Sequence, residues 1–384
     1  MTTLTNTVRV LEQLIGFDTV SRHSNLDLID WLQAQLEPLG ARCTRIPNSE
    51  GNKANLWARF GPDRPGGLVL SGHTDVVPVD GQDWVTDPFI LTHIGSRFYG
   101  RGTSDMKGFI ALCLAFAPRF AELDLTHPVH FAFSYDEEVG CQGAPAMIER
   151  IVNAGAQPAA VWVGEPTLWK VVSAHKGIRL YEVIVTGREA HSSLSHLGVS
   201  AIGQAIELLS DLRSLETKLA ASSLGDPAMT PPHPTISVGT LEGGTAVNIL
   251  ARQCRFQFDL RCPANVDPDE LLKPFTEKVA EVDAALTARF PECGVAMRCL
   301  TDVPALFTSR DNPAEALARQ LTGDNALRAV PYTTEAGQFL AGGIPAVVCG
   351  PGSIDQAHTA NEYVDQEQLA LGVEVFEKLV AHLS

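Results

Sequence analysis

No stretch of this sequence stays apolar for the roughly 20 residues that a membrane-spanning helix requires. The N-terminus, "MTTLTNTVRVLEQLIGF", has no basic start followed by an apolar segment, so it does not read as a secretory signal. Basic residues are the scarcer charge: 29 Lys and Arg face 45 Asp and Glu, leaving a net charge of −16. Without a basic run to neutralise phosphates, nucleic acid and anionic membranes are poor partners. The eight cysteines form no CxxC pair, which argues against a zinc knuckle or a disulfide framework and fits reduced thiols in a cytoplasmic protein. Internal repeats and low-complexity tracts are also missing. What remains is a folded globular chain, 45% apolar and 384 residues long, more than one ordinary core accommodates.

The pattern of elements predicts how that length divides. "NTVRVLEQLIGF" and "LDLIDWLQAQLEPLG" carry helical apolar spacing, the second closed by Gly40. "NLWARFG" and "GLVLSGHTD" read as strands, and "SDMKGFIALCLAFAPRF" as a buried helix opening just after Asp105. "HPVHFAFSYDEE" is a strand ending in acid, "GAPAMIERIV" a helix and "AAVWVGEP" a short buried strand. This alternation predicts an α/β domain with a mixed, mostly parallel sheet. From residue 178 the texture changes. "IRLYEVIVTG", "TISVGTLEGG" and "CRFQFDLRCP" alternate like strands with one wet face, and two long helical patterns accompany them. That composition predicts an inserted α+β module of the ferredoxin-like, β-α-β-β-α-β kind. The expected division is 1–177 catalytic, 178–302 inserted lid or dimerisation domain, and 303–384 catalytic again.

Ligand sites in open α/β sheets form outside the carboxyl ends of the strands. The polar residues there are His73 and Asp75, Asp105, Glu137 and Glu138, Glu165 and His358. Each has an ordinary alternative. A lone histidine after a strand is usually a loop residue, Asp105 stands where a helix cap would, "YDEE" resembles a solvated strand end, and Glu165 before Pro166 reads as a turn. Gathered on one rim they suit two divalent metals bridged by a carboxylate. Nitrogen and oxygen ligands without thiolate fit zinc, with cobalt as a substitute.

"SGHTDVVPV", "YGRGTSDMKGFIA", "DEEVGCQGA", "GEPT", "SAHKG", "REAHSS" and "GPGSIDQAH" resemble the M20 family of two-metal aminopeptidases and amidohydrolases, and the resemblance spans the whole chain. It implies that Asp105 bridges two metals, that His73 and Glu165 complete one, and that Glu138 and His358 complete the other. It implies that Asp75 hydrogen-bonds His73, fixing its tautomer, with strand alternation placing the two together. Glu137 would take a proton from the attacking water and pass it to the leaving amine. In the inserted module, the resemblance makes His191 an oxyanion stabiliser and has Asn248 and Arg261 hold substrate, the arginine by a carboxylate. Glu335 in "YTTEAGQF" is a candidate for a substrate amino group, or simply a solvated loop carboxylate. Relatives of this kind dimerise through the lid and donate the histidine across the interface, so a homodimer with His191 acting in trans is expected.

The expected activity is removal of a small acyl group from the α-nitrogen of an amino acid, with acetyl from N2-acetyl-L-ornithine foremost. N-acetylcitrulline, succinyl-diaminopimelate and general N-acyl amino acids stay open as substrates. So does a binding protein on the same scaffold with a dead site.

Overall fold

Twelve residues of the helix Lys107–Glu122 are buried, from Lys107 through Ala117 and then Phe120. A helix apolar on nearly every face must sit inside a layered domain, not on its surface. In this computed structural model, which describes residues 2–309 and 311–384, it packs against the helices Thr3–Ile15 and Gln366–Leu383 and under the strand Leu68–His73. Phe109 and Phe116 both meet Phe376 of the C-terminal helix, at ring separations of 5.8 and 5.3 Å.

The chain divides into two compact units. One comprises the residues up to Ala174, Leu306–Ala329 and Thr334–Ser384; the other comprises His175–Ala305 with Val330–Thr333. The first unit is built on a six-stranded sheet. Its order is Arg42–Pro47, Ala54–Phe60, Val129–Ser134, Leu68–His73, Ala160–Val163 and Ala346–Val348. The first two pairings are antiparallel, and the remaining three are parallel. The four parallel strands therefore end on one edge. His73 closes one of them; Glu137 and Glu138, Glu165, and finally His358 follow the other three. In the second unit, four antiparallel strands stand in the order Thr235–Gly243, Gln253–Cys262, Gly177–Thr186 and Gly294–Val303. With the helices Ala201–Ala220 and Pro268–Arg289 they follow the β-α-β-β-α-β sequence. Tyr181, Phe256, Phe258 and Phe275 sit in their shared core.

Gly164 shows how tightly the buried helix is packed against the sheet. A Cβ at Gly164 would lie 2.0 Å from Cγ of Phe109. Gly164→Ala should therefore destabilise the protein by about 1–3 kcal/mol through overpacking, and it should displace the adjacent Glu165. Urea unfolding of the variant against wild type reads this directly, and equal midpoints would contradict it.

Candidate metal centre

Asp105 stands where a capping residue would, but the helix begins without a side-chain cap: Met106 occupies the N-cap position. The Asp105 carboxylate instead faces two imidazoles. Its Oδ1 lies 2.9 Å from Nε2 of His73, and its Oδ2 lies 3.4 Å from Nε2 of His358. The same His358 nitrogen meets Glu138 Oε2 at 2.9 Å. Donor atoms of His73, Asp105 and Glu165 all lie within 4.8 Å of one another, and so do those of Asp105, Glu138 and His358. The two triads share Asp105, and Glu137 belongs to neither.

The electrostatics fit a cation. Glu165 Oε1 is buried with no hydrogen-bond donor among the described residues. Burial, reinforced by the Asp105 charge, pushes the Glu165 acid well above its ordinary range. Glu138 is pushed up to about 7 by burial and by Asp105. Glu137 is held well above the usual carboxylate range by burial and by the charges of Glu138, Glu335 and Asp105, with His73 opposing. Burial works against ionised Asp105, yet hydrogen bonds to His358 and His73 outweigh it and keep that carboxyl well below its usual value. Burial would likewise lower His73, but Asp105 and Asp75 hold it well above the ordinary imidazole. Asp105 and Glu138 raise His358 to about 10. Without a metal, then, the cluster keeps protons on groups that would otherwise have lost them. Divalent ions replace such protons, and two imidazoles with three carboxylates form a nitrogen–oxygen donor set suited to them.

Asp75 meets His73 through its main chain as well as its side chain, and it has further partners. The strand ends at His73, so side-chain alternation does not carry through to Asp75. His73 Nδ1 lies 2.9 Å from the backbone carbonyl of Asp75, whereas the Asp75 carboxylate is 3.6 Å away. The carboxylate oxygens are occupied by the N–H groups of Glu137 and Glu138, at 3.1 and 3.2 Å, and by the Ser21 hydroxyl at 2.7 Å. Asp75 thus anchors the turn that carries both glutamates, while its main chain faces the imidazole. That turn is tight. Gly140 and Cys141 donate N–H bonds back to the Glu137 carbonyl, and the Cys141 thiol donates to Glu137 Oε1 at 3.3 Å. Asp136, Cys141 and His358 all adopt positive φ, a conformation uncommon for non-glycine residues. Sequence reasoning missed Ser21 and Cys141. Ser21 lies 54 residues from its partner and carries no local signal, whereas Cys141 stands four residues after Glu137 at the close of the "DEEVG" turn.

Glu335 is not a solvated loop carboxylate. It is 1% exposed, and apart from a loose approach by the Ser134 hydroxyl neither carboxylate oxygen has a hydrogen-bond donor among the described residues. Burial pushes it up to about 7. The remaining candidates belong to the second unit. His191 and Asn248 run side by side: Ser192 N–H donates to the Asn248 carbonyl at 2.9 Å, and His191 bridges Ile249. Both residues are exposed, and His191 Nδ1 accepts from the Ser193 hydroxyl at 2.8 Å. Arg261 lies on the strand Gln253–Cys262, where its Nε donates to Asp259 at 3.1 Å.

The parallel-sheet edge with its paired donor triads is that of a metallohydrolase, and residues 69–382 match the model of peptidase family M20/M25/M40. The chain belongs to that family and is a metal-dependent amide hydrolase. It is 34% identical over 366 residues to the acetylornithine deacetylase of Proteus mirabilis (93% of this chain, 92% of that protein). It is 36% identical over 377 residues to the acetylornithine deacetylase of Myxococcus xanthus (97% and 96%). Among solved structures it resembles the M20 family metallo-carboxypeptidase Sso-CP2 of Sulfolobus solfataricus, with a TM-score of 0.77 and 19% identity, covering 97% of this chain and 98% of that one. It also resembles the dinuclear metal binding peptidase YXEP of Bacillus subtilis, with a TM-score of 0.63 and 15% identity, covering 99% and 98%. At these identities the structural likeness concerns the fold.

The protonation pattern predicts a pH dependence. Glu137, Glu138, Glu165 and Glu335, together with His73 and His358, bind protons more tightly when folded than when unfolded, where Glu titrates near 4.3 and His near 6.5. The stability they contribute is fully present below those unfolded values and is lost as pH rises through the folded ones. Asp75 and Asp105, shifted downward, contribute stability that is lost only as pH falls below about 4. Buried His130 and His175, both pushed down to about 4, and Lys107, pushed down to about 7, contribute the opposite trend with or without metal. The rise in melting temperature on adding divalent metal should therefore grow from about pH 5 to pH 8. Paired melts of chelator-treated and metal-loaded protein across this range check it, and a metal-induced rise that stays flat or shrinks with pH would contradict the assignment.

Proposed function

We propose that the protein hydrolyses N2-acetyl-L-ornithine to L-ornithine and acetate, using two divalent ions, zinc in the first instance and cobalt as a substitute. The observation that carries the reading is a pair of donor triads sharing Asp105, with Glu137 beside them and in neither. The substrate is supported by the deacetylases that match over nearly the full chain. In this reading His73, Asp105 and Glu165 hold one ion, and Asp105, Glu138 and His358 hold the other. Ions bound there supply Lewis acidity toward the acyl carbonyl and acidify water.

The rest of the chemistry falls to the protein. Glu137, its oxygen fixed by the Cys141 thiol, takes a proton from the attacking water. The C–O bond to the acyl carbon forms as that proton leaves, and Glu137 then returns the proton to the departing nitrogen as the C–N bond breaks. A proton affinity above that of an ordinary carboxylate suits a group that must both accept and donate near neutral pH. His191 would stabilise the oxyanion. Asn248 and Arg261 would hold the substrate, Arg261 through the α-carboxylate. Glu335, a buried carboxylate short of donors, is assigned to the terminal ammonium.

A homodimer through the lid is supported by the edge strand Thr235–Gly243. Its Val238 and Leu241 are 43% and 55% exposed, an apolar strand edge that natural proteins usually cover. His191 is assigned to the partner's site. A cytoplasmic location fits eight cysteines that are all unpaired, and an arginine-biosynthetic role follows from the proposed product.

Two outcomes test the reading. Glu137→Gln should retain its metal and lose about 10²–10⁴-fold in kcat, whereas Glu138→Gln should lose metal affinity; metal titration beside steady-state rates distinguishes them, and the reverse pattern would exchange their roles. On a substrate panel, kcat/KM for N-acetylornithine should exceed that for N-acetylcitrulline and far exceed that for N-succinyl-diaminopimelate. A desolvated charge match is worth about 2–5 kcal/mol, and Glu335→Gln should shrink the ornithine preference specifically. A citrulline preference would move the substrate assignment and leave the metal chemistry standing.

A further inference from the structure

We propose that Glu362 is the positioning residue of the shared carboxylate: it shapes the backbone that presents Asp105 and ties Asp105 to His358. The inference rests on the two-triad reading. Glu362 and Arg101 are buried together, each side chain 1% exposed. Glu362 Oε1 accepts the N–H groups of Ser104 and Asp105 at 2.9 and 3.1 Å. Its Oε2 accepts the Gly102 N–H at 3.0 Å and Arg101 Nη1 at 2.8 Å. An ion pair serving stability alone would require only the arginine. Here three of the four bonds go to the main chain of the loop that ends in Asp105. Gly102, at φ +88°, supplies the left-handed residue that lets the loop wrap around the carboxylate.

The same device reaches the second ligand. Glu362 lies four residues after His358, and its own carbonyl accepts the Gly100 N–H at 3.0 Å. Arg101 Nη1 also donates to the Thr359 carbonyl at 3.2 Å, and Gln82 Nε2 donates to the His358 carbonyl at 3.0 Å. Two segments distant in sequence, each carrying a ligand of the Asp105–Glu138–His358 triad, are thereby held as one piece. A carboxylate is the only side chain that fits this position. It offers four acceptor sites and no donor, whereas an amide in either orientation would turn its NH2 group against two donors.

The test is the zinc affinity of metal-free protein, measured by competition with a chelating dye, together with the visible spectrum of cobalt-loaded protein. Wild type should bind two ions. Glu362→Gln should bind one of them about 10–100-fold more weakly and alter the cobalt bands, with kcat falling more than KM changes. Glu315→Gln is the control for stability alone. Glu315 is similarly buried and bonds Arg319 at 2.9 and 2.7 Å, away from the triads. It should lower the melting temperature while leaving metal affinity and the cobalt bands unchanged. If Glu362→Gln does not fold, Glu362→Asp replaces it; its shorter arm reaches fewer donors, so the same weakening is expected. Two ions bound by the Glu362 variant within about twofold of wild type overturn this inference alone. A wild type that binds no ion overturns it together with the two-triad reading.

Discussion

The Asp105 carboxylate lies between two imidazoles, and the rest of the site depends on that placement. His73 approaches one oxygen and His358 the other, so the two donor triads have a common member. Gathering Asp105, Glu137, Glu138 and Glu165 at one strand edge concentrates negative charge where burial makes it expensive. Their raised proton affinities, beside a lowered Asp105, describe a cluster that retains its protons until a cation replaces them. Glu137, left out of both triads, has its carboxyl held well above the usual range beside them.

Such a cluster has to be held from behind, and the structure holds it through the backbone. Asp75 accepts the N–H groups of Glu137 and Glu138, and Glu362 accepts those of Gly102, Ser104 and Asp105. In each case a buried carboxylate, itself outside the donor triads, fixes the main chain of a loop that carries candidate ligands. The parallel strands bring the loops to one edge, and these anchors set their final geometry. The buried helix Lys107–Glu122 completes the support by packing against the sheet so closely that Gly164 has no room for a side chain.

Much of this was legible in the sequence. The apolar runs around "GLVLSGH", "VHFAFS" and "AVWV" announced strands buried on both faces, and their polar ends supplied the candidate ligands. The alternation beyond residue 178 announced the antiparallel module. Other features were hidden for physical reasons. The strand Arg42–Pro47 is an edge strand of mixed polarity, half solvated, so its sequence carries no strong apolar period. The short strands Thr92–Ile94, Arg97–Tyr99 and Tyr363–Asp365 are too brief for periodicity to show. The hold of Asp75 on the backbone of Glu137 and Glu138 was hidden as well, because its partners lie more than 60 residues away in sequence. Ser21 and Glu362 act on loops 54 and about 260 residues away, a distance over which only the folded chain brings partners together.

Cations that bind this cluster must displace its protons. Calorimetric titration of the metal-free protein with zinc near pH 7, repeated in buffers of different ionisation enthalpy, measures both quantities at once. The prediction is two ions bound per chain with net release of protons, since His358, Glu138 and their neighbours hold protons that the ions must replace. Binding whose heat does not depend on the buffer, or no binding at all, would contradict it.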